Sequence, residues 1–404
     1  MRTELKVRFL FPLLMVFLAL GGCGPFDPYD AAMLPHPVSN LSPEELIQPQ
    51  NWELLQDYLL EQASKGVSGP PTADITTITG LTGTGKWGAA VLAPNGKIYG
   101  IPYDSTSVLI LDPETNTADV TTITGLAGTA KWDGGVLAPN GKIYGIPLNS
   151  TNVLILDTET NTADITTITG LAGAYKWAGG VLAPNGKIYC IPHDSTSVLI
   201  IDPQTNTADT TTITGLPGAT SKWLGGVLAP NGRIYGIPIN QTEVLIINPV
   251  TNTANTTTIT GLAGASKWWG GVLAPNGKIY GIPLSSASVL IIDPTRDTAD
   301  ITTITGLVGT EKWYGGILAP SGRIYGSPWD SDGVLIIDTE INTADTTTIT
   351  GLGAGGTKWL GGVLAPNGRI YCIPHDSTSV LIIDPKSRGA FYDNVAMSSY
   401  FNKL

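Results

Sequence analysis

The sequence predicts an all-β fold: a seven-bladed β-propeller of four-stranded antiparallel blades, closed by a strand from its N-terminal side. The dipeptide Lys-Trp occurs seven times, with successive Trp residues 45 or 46 positions apart. Each copy contains four short runs with strand character, separated by turn signals. A lone fourth-strand run precedes the first copy, and the last copy ends without one. These three observations together predict the fold.

The four strands are clearest in the copy at residues 176–203. Gly-Gly-Val-Leu-Ala is the first strand, and Ala-Pro-Asn-Gly is a hairpin signal because glycine accepts a positive φ. Lys-Ile-Tyr-Cys-Ile is the second strand, and Val-Leu-Ile-Ile-Asp is the third, whose β-branched composition indicates burial on both faces. The Thr-rich run that follows predicts a polar outer edge strand. Repeats of this length with four strands are typical of propeller blades.

The phase of the repeat indicates how the ring closes. The repeats begin with the fourth-strand run at 73–79 and end after the third-strand run at 380–384. We therefore expect the first run to complete the last blade, because closure removes two free sheet edges. The propeller then spans residues 73–385, between a tether at 23–72 and a tail at 386–404. Apolar residues at helical spacing predict a short helix at 51–63 of the tether.

Residues 1–22 have the pattern of an export signal. Basic residues precede an apolar run at 9–20 that is too short to span a bilayer. The run ends in Leu-Gly-Gly-Cys23, which resembles the bacterial lipobox. The resemblance implies cleavage before Cys23 and a lipid anchor on its sulfur, which would hold the protein at the bacterial cell envelope, in the outer membrane, facing the periplasm or the surface. An ordinary secretory signal with a chance Cys is the alternative.

The repeats also resemble those of bacterial kelch, NHL and related propeller groups over residues 73–385. Kelch repeats place a Gly-Gly doublet ahead of a spaced Tyr and Trp. Here the Trp precedes the doublet, and Tyr189 follows Gly180 by nine positions. The resemblance implies the fold and no family function.

Composition and motif content argue against several kinds of chemistry. The net charge of -11 without a basic patch argues against nucleic acid as a partner. His193 and His375 each follow a Cys, at 190 and 372, in identical text. Propeller dimensions place the two copies about 20 Å or more apart, too far for a disulfide or a shared metal ion. We expect no catalytic residue, no metal site and no cofactor.

The repeated Lys-Trp pair has two interpretations. A repeated Trp in a propeller fills the wedge between neighbouring blades, and this packing role is the favoured one. A ring of aromatic side chains around a ligand is the alternative. The Lys side chains could pair with carboxylates such as Asp104 or form an anion-binding ring.

Variation among the copies identifies the candidate site. The positions after each Trp and after each strand-ending Pro differ from blade to blade and share one face of the disc. Blades 5 and 6 place Trp269, Tyr314 and Trp329 there, beside Asp330 and Asp332. Aromatic side chains flanked by carboxylates often bind sugars and peptides. Neutral drift at exposed loop positions is the alternative, and Asp-Ser-Asp-Gly at 330–333 is a polar turn that lacks the Glu of a calcium loop.

The sequence therefore predicts an envelope-anchored binding or scaffolding lipoprotein. Its partners would be the membrane, through the anchor, and a glycan, peptide or protein on the variable face. A structural or assembly role without a ligand site is one alternative. A propeller hydrolase or lyase is another, although no set of His, Asp and Glu recurs at one place in the ring.

Overall fold

The computed structural model describes residues 69–386. This range forms seven four-stranded antiparallel sheets arranged as the blades of a propeller, as predicted. It contains no helix, so no helical membrane span occurs among these residues. The predicted lipobox, the tether helix and the C-terminal tail lie outside the described residues.

The strands are numbered in chain order, and the blades are numbered by the order of their Trp residues. The strand before blade 1 is β1 (Thr72–Asp74). Blades 1 to 3 contain β2 (Trp87–Leu92), β3 (Ile98–Pro102), β4 (Leu109–Asp112), β5 (Thr117–Asp119); β6 (Trp132–Leu137), β7 (Lys142–Pro147), β8 (Leu154–Asp157), β9 (Thr162–Asp164); β10 (Trp177–Leu182), β11 (Ile188–Pro192), β12 (Leu199–Asp202), β13 (Thr207–Asp209). Blades 4 to 7 contain β14 (Trp223–Leu228), β15 (Ile234–Pro238), β16 (Leu245–Asn248), β17 (Thr253–Asn255); β18 (Trp268–Leu273), β19 (Ile279–Pro283), β20 (Leu290–Asp293), β21 (Thr298–Asp300); β22 (Trp313–Leu318), β23 (Arg323–Pro328), β24 (Leu335–Asp338), β25 (Thr343–Asp345); β26 (Trp359–Leu364), β27 (Ile370–Pro374), β28 (Leu381–Asp384).

The ring closes through β1, which is the outer strand of blade 7. It pairs antiparallel with β28, and Ala73 lies opposite Ile383. Beyond the ladder, the N–H of Val380 donates to the carbonyl of Ile78 over 3.0 Å. The side chain of Ile78 is buried in the same cluster as Val380. The predicted closure is confirmed, because the first strand of the ring supplies the edge that the last blade lacks.

The outer strands are shorter than the sequence predicted. The run at 73–79 was expected to be one strand, but β1 ends at Asp74. The Asp74 carboxylate accepts hydrogen bonds from the backbone N–H of Thr76, at 2.7 Å, and of Thr77, at 3.2 Å. These bonds turn the chain, since an Asp side chain competes with the ladder for nearby N–H groups. The same turn follows the outer strands of the other blades, with Asn255 in place of Asp in blade 4.

The hydrophobic core lies between neighbouring blades. One cluster joins Tyr144 and Ile155 of blade 2 to Trp177 and Ile188 of blade 3, and the pattern repeats around the ring. All seven repeat Trp side chains are at most 3% exposed. Each indole N–H donates to a backbone carbonyl 20 residues later in its own blade. The Trp residues are therefore packing elements, as favoured, and they form no aromatic ring around a ligand.

The innermost strands approach one another closely around the axis, and glycine makes this possible. A Cβ on Gly134 would lie 2.7 Å from the Cα of Gly179, and a Cβ on Gly179 would lie 2.8 Å from the Cα of Gly225. All three residues also have a positive φ, which glycine adopts without strain. The Gly-Gly doublet of the repeat therefore sets how tightly the blades meet at the centre.

Candidate functional site

The candidate site lies on the face that carries the loops between the second and third strands and the loops between blades. The chain enters each blade through a segment that runs from a buried Leu to the repeat Lys. We call this segment the junction of that blade. Five junctions have four residues between Leu and Lys, and the junctions of blades 4 and 7 have five. Side chains from the second-to-third-strand loop of the preceding blade pack against each junction.

The repeat Lys side chains are buried at the junctions. Lys131 is 3% exposed, and its ammonium donates to the carbonyls of Tyr103, Ser105 and Gly128 at 2.8–3.0 Å. Burial lowers the pKa of the Lys side chains of blades 1 to 6 to about 8. Backbone carbonyls therefore take the place of the carboxylates and anions that the sequence suggested as partners.

A side-chain oxygen closes six of the seven junctions. At the junction of blade 4, the carboxylate of Asp194 in blade 3 accepts a 2.6 Å hydrogen bond from the N–H of Ser221, the residue before Lys222. The junctions of blades 1, 2, 3, 5 and 6 have the same bond, accepted by Asp, Asn or Ser at the same position of the preceding blade, over 2.6–3.1 Å. The donor residue has a positive φ in all six junctions. The left-handed backbone turns its N–H toward the acceptor.

The junction of blade 7 is the exception. Asp330 occupies the acceptor position, but its buried Oδ1 atom has no hydrogen-bond partner among residues 69–386. Thr357 precedes Lys358 and does not have a positive φ. Gly355 and Gly356, earlier in the same junction, have positive φ values instead. A β-branched residue strongly disfavours the left-handed region. The Thr357 hydroxyl instead donates to Asp376.

The variable positions of the repeat fill the mouth of the central axis. Leu148, Ala178, Leu224, Ile239 and Leu284 come from four blades, yet they pack in one cluster and are at most 5% exposed. Partly buried Tyr103 and Trp269 pack against this cluster. Side chains from so many blades meet only at the axis. We call this set of side chains the axial plug, and its burial shows that most variable positions are packing positions rather than exposed loop positions.

Aromatic side chains form the other half of the axial plug. The ring centroid of Trp269 lies 3.8 Å from that of Tyr314, which stacks on Trp329 at 4.8 Å. Trp329 continues the series to His375 at 5.1 Å, and His375 reaches Tyr103 of blade 1 at 5.6 Å. Tyr314 is 7% exposed, whereas Trp269 and Trp329 are partly exposed. The three predicted aromatic residues thus lie together, with both indoles at the surface of the stack.

A buried carboxylate supports this stack from across the axis. Asp133 of blade 2 is 8% exposed, and its carboxyl group lies close enough to the Tyr314 hydroxyl of blade 6 for each to influence the pKa of the other. Burial raises the pKa of Asp133 to about 7 and the pKa of Tyr314 well above its usual value.

The two predicted carboxylates lie on the outer side of the stack. Asp332 accepts a 3.0 Å hydrogen bond from the N–H of Gly351 through Oδ2. Asp330 and Asp332 both line a groove of about 380 Å³ with Lys312, and blade 1 has a similar groove of about 390 Å³. Both carboxylates also raise the pKa of Lys358, against the lowering effect of its burial.

The two Cys-His copies lie in different surroundings. Cys190 and Cys372 are fully buried free thiols in separate inter-blade clusters. Burial lowers the pKa of His193 and His375, although an aspartate oxygen lies 2.7 Å and 3.0 Å from their Nδ1 atoms. Neither contact has hydrogen-bond geometry. No group of three or more His, Cys, Asp or Glu is placed to hold a metal ion within residues 69–386.

Comparisons with known proteins identify the fold. No family model and no curated protein matches the sequence. Among solved structures, a streptogramin B lyase matches 80% of this chain and 98% of its own at a TM-score of 0.60 and 11% identity. Virginiamycin B lyase from Staphylococcus aureus matches 78% of this chain and 99% of its own, at a TM-score of 0.62 and 9% identity. The extracellular domain of a hybrid two component system from B. thetaiotaomicron matches 81% of this chain and 44% of its own, at 0.59 and 13% identity. At these identities the likeness shows the propeller fold alone.

Proposed function

We propose that the protein is a binding module of the bacterial cell envelope, and that it recognises a glycan, peptide or protein on the axial-plug face. The observation that carries the proposal is the continuous stack from Trp269 through Tyr314 to Trp329, with both indoles partly exposed above a buried base. A preformed aromatic surface binds a flat ligand with little loss of side-chain entropy. Asp330 and Asp332 beside the stack provide hydrogen-bond acceptors for orientation.

The proposed site is rigid where it needs to be. Tyr314 is buried and packs between two aromatic neighbours, so the two indoles rest on a ring that is held in place by its packing. The structural matches include an extracellular domain of a bacterial two component system, which is in keeping with a role outside the cytoplasm. They also include lyases, and that likeness extends only to the fold.

A binding screen tests the proposal. The full-length protein is applied to glycan and peptide arrays beside a Trp269→Ala, Trp329→Ala double variant. We expect the variant to lose about tenfold or more in affinity, the usual effect of removing central aromatic contacts. Tyr175→Ala is the matched control, because Tyr175 is 47% exposed on the same face in blade 3. Equal binding by parent and double variant would contradict the proposed site.

We also propose that Cys23 carries the lipid anchor. The Leu-Gly-Gly-Cys sequence at the end of an apolar run supports this. Labelling of cells with an alkyne-bearing fatty acid should mark the parent protein and not a Cys23→Ser variant. Label on the variant would contradict lipidation at this position.

An envelope assembly role without a small ligand is the second candidate. Val250 is 89% exposed and Ile341 is 67% exposed, both in turns between third and fourth strands. These turns lie on the face opposite the axial plug. A pull-down from envelope extracts that depends on Val250 and Ile341, and not on Trp269 and Trp329, would favour this second role.

A further inference from the structure

We call the six junctions with this side-chain hydrogen bond closed, and the junction of blade 7, which lacks it, open. The closed copies allow an internal comparison with the open one. In the closed junctions, a main-chain N–H of the chain itself donates to the Asp, Asn or Ser acceptor. At the open junction, Asp330 keeps the acceptor, and Thr357 does not bring its N–H to it. A buried carboxylate oxygen without a donor is costly, so its retention requires an explanation.

The lysine of the open junction is also short of partners. Four of the repeat lysines donate to three backbone carbonyls each. Lys358 has a single carbonyl within reach, that of Gly355 at 3.5 Å, among the described residues. Lys222 also has one, at 3.0 Å, but Lys222 is fully buried whereas Lys358 is partly exposed. The ammonium of Lys358 is therefore available to an acceptor from outside the chain.

The open junction has space around it. Gly353, Gly355 and Gly356 have φ values of 75–80°, and a Cβ at any of them would meet no atom within 4 Å. Asp330 also lines a groove of about 380 Å³ that runs along the closed junction of blade 6 and falls within the size range of ligand pockets; neither Trp329 nor Lys358 lines it. Blade 1 has a groove of the same size, but its Asp104 is already bonded to the N–H of Ala130. The unpaired Oδ1 of Asp330 distinguishes the two grooves, since their volumes do not.

The missing partners have the chemistry of a peptide group. The six closed junctions satisfy the acceptor with a main-chain N–H, and their lysines donate to main-chain carbonyls. At the junction of blade 7, Oδ1 of Asp330 has no donor and the ammonium of Lys358 has one carbonyl acceptor, beside the partly exposed indole of Trp329. A glycan hydroxyl could also donate and accept, and the Thr357 hydroxyl does donate to Oδ2 of Asp376, the acceptor residue of the blade 1 junction. The acceptor oxygen that corresponds to Oδ1 of Asp330 takes a main-chain N–H in all six closed copies.

We propose that the open junction of blade 7 binds the main chain of an extended peptide. A peptide N–H donates to Asp330, a peptide carbonyl accepts from Lys358, and Trp329 contacts a neighbouring side chain of the ligand. This inference rests on the proposed function, because it names the ligand class for the site that contains Trp329 and Asp330. Recognition through the main chain gives affinity with broad tolerance of ligand sequence.

The test closes the junction with a loop that the protein already uses. Residues 353–357 are replaced with Pro-Gly-Ala-Thr-Ser, the sequence at 217–221 of the equally long but closed junction of blade 4. Full-length parent and exchange variant are compared on arrays of random-sequence peptides, on the same peptides with N-methylated amides, and on glycans. We expect the exchange to weaken peptide binding by about tenfold or more, since a hydrogen bond to a charged group is lost.

Controls separate this inference from the proposed function. Asp330→Ala removes the acceptor without breaking a hydrogen bond of its Oδ1, so it should fold and lose peptide binding. Asp104→Asn, in the matching groove of blade 1, should leave peptide binding unchanged. N-methylation should weaken binding to the parent by about tenfold or more.

Two outcomes would overturn the inference. One is full peptide binding by both the exchange variant and Asp330→Ala. The other is glycan binding by the parent, lost in the Trp269→Ala, Trp329→Ala variant, without any peptide binding; this would leave the proposed function standing. Equal binding of all ligands by parent and the Trp double variant would instead contradict the proposed function itself.

Discussion

The junctions of blades 4 and 7 are alike in length but differ in state. Each has one residue more than the other five junctions. In the blade 4 junction, Ser221 has a φ of 49° and its N–H closes on Asp194 at 2.6 Å. In the blade 7 junction, Thr357 lacks that conformation and Oδ1 of Asp330 has no donor; the N–H of Gly355 bonds to the main-chain carbonyl of Asp330 at 2.9 Å instead. Length therefore does not open a junction; the residue before the lysine determines whether the N–H reaches its acceptor.

Blade 7 also differs from blade 4 in the origin of its outer strand, and this predicts the largest effect. Deletion of residues 71–81 removes β1 and the buried side chains of Ile78 and Leu81. Burial of two aliphatic side chains and the strand ladder stabilises the ring by about 5 kcal/mol or more. Urea unfolding should show loss of the whole cooperative transition. An unchanged midpoint would contradict closure by β1.

Two carboxylates on this face sharpen the comparison, because Asp133 lies beside the Tyr314 hydroxyl and Asp330 has no donor at its Oδ1. Burial raises the pKa of Asp133 to about 7, so the folded state holds a proton that the unfolded state has released. Stability should therefore fall as pH rises from about 4 to about 7. Asp133→Asn removes this dependence and should be more stable than the parent by about 4 kcal/mol above pH 7. The free energy of unfolding is measured against pH for the parent, for Asp133→Asn and, as the comparison variant, for Asp330→Asn. Parallel curves for the parent and Asp133→Asn across that range would refute this prediction.

Exchange of the two long loops tests the comparison directly. Placing Gly-Ala-Gly-Gly-Thr at 217–221 should remove the N–H donor of Asp194 and cost about 2 kcal/mol, the penalty of an unsatisfied buried acceptor. The reverse exchange at 353–357 should cost nothing or stabilise the fold. Chemical denaturation of both variants measures the difference. Equal losses in both directions would mean that the junctions are not closed and open copies of one site.

The smallest effect is expected from a single methyl group. Ser221→Thr places a β-branched residue at a φ of 49° and should cost about 1 kcal/mol. Thr357→Ser, which keeps the hydroxyl that bonds to Asp376, should cost less than half of that or be stabilising. A thermal melt resolves the two. A larger loss for Thr357→Ser would argue against β-branching as the cause of the open junction.

The sequence determines the fold well because its information is periodic. The spacing of the seven Trp residues and the lone strand before them were enough to predict the blades, the packing role of Trp and the closure by β1. The outer strands were predicted too long, although the signal was local: an Asp followed by two Thr residues forms the turn after Asp74. The hydrogen bonds that an Asp side chain forms with nearby N–H groups account for the end of the strand at this position.

The axial plug was not predictable in the same way. Burial of Leu148 or Tyr314 depends on side chains from blades far apart in sequence, which meet only when the ring closes. Within a single blade these variable positions have the sequence pattern of exposed loop residues, because their packing partners lie in other blades. The open junction did leave a trace, since Thr357 is the only β-branched residue at the position before the repeat Lys. Its meaning required the six hydrogen bonds of the closed copies.

Hydrogen exchange at the two long junctions tests most directly whether blade 7 carries an open copy. Exchange of segments 217–222 and 353–358 is measured by mass spectrometry, with and without the peptide mixture that the arrays identify. We predict slow exchange at 217–222 in both conditions. At 353–358, where the N–H groups of Gly355 and Lys358 are bonded but that of Thr357 is not, we predict faster exchange that slows when peptide is added. Equally slow exchange of both segments in the free protein, or no change at 353–358 on peptide binding, would contradict the account.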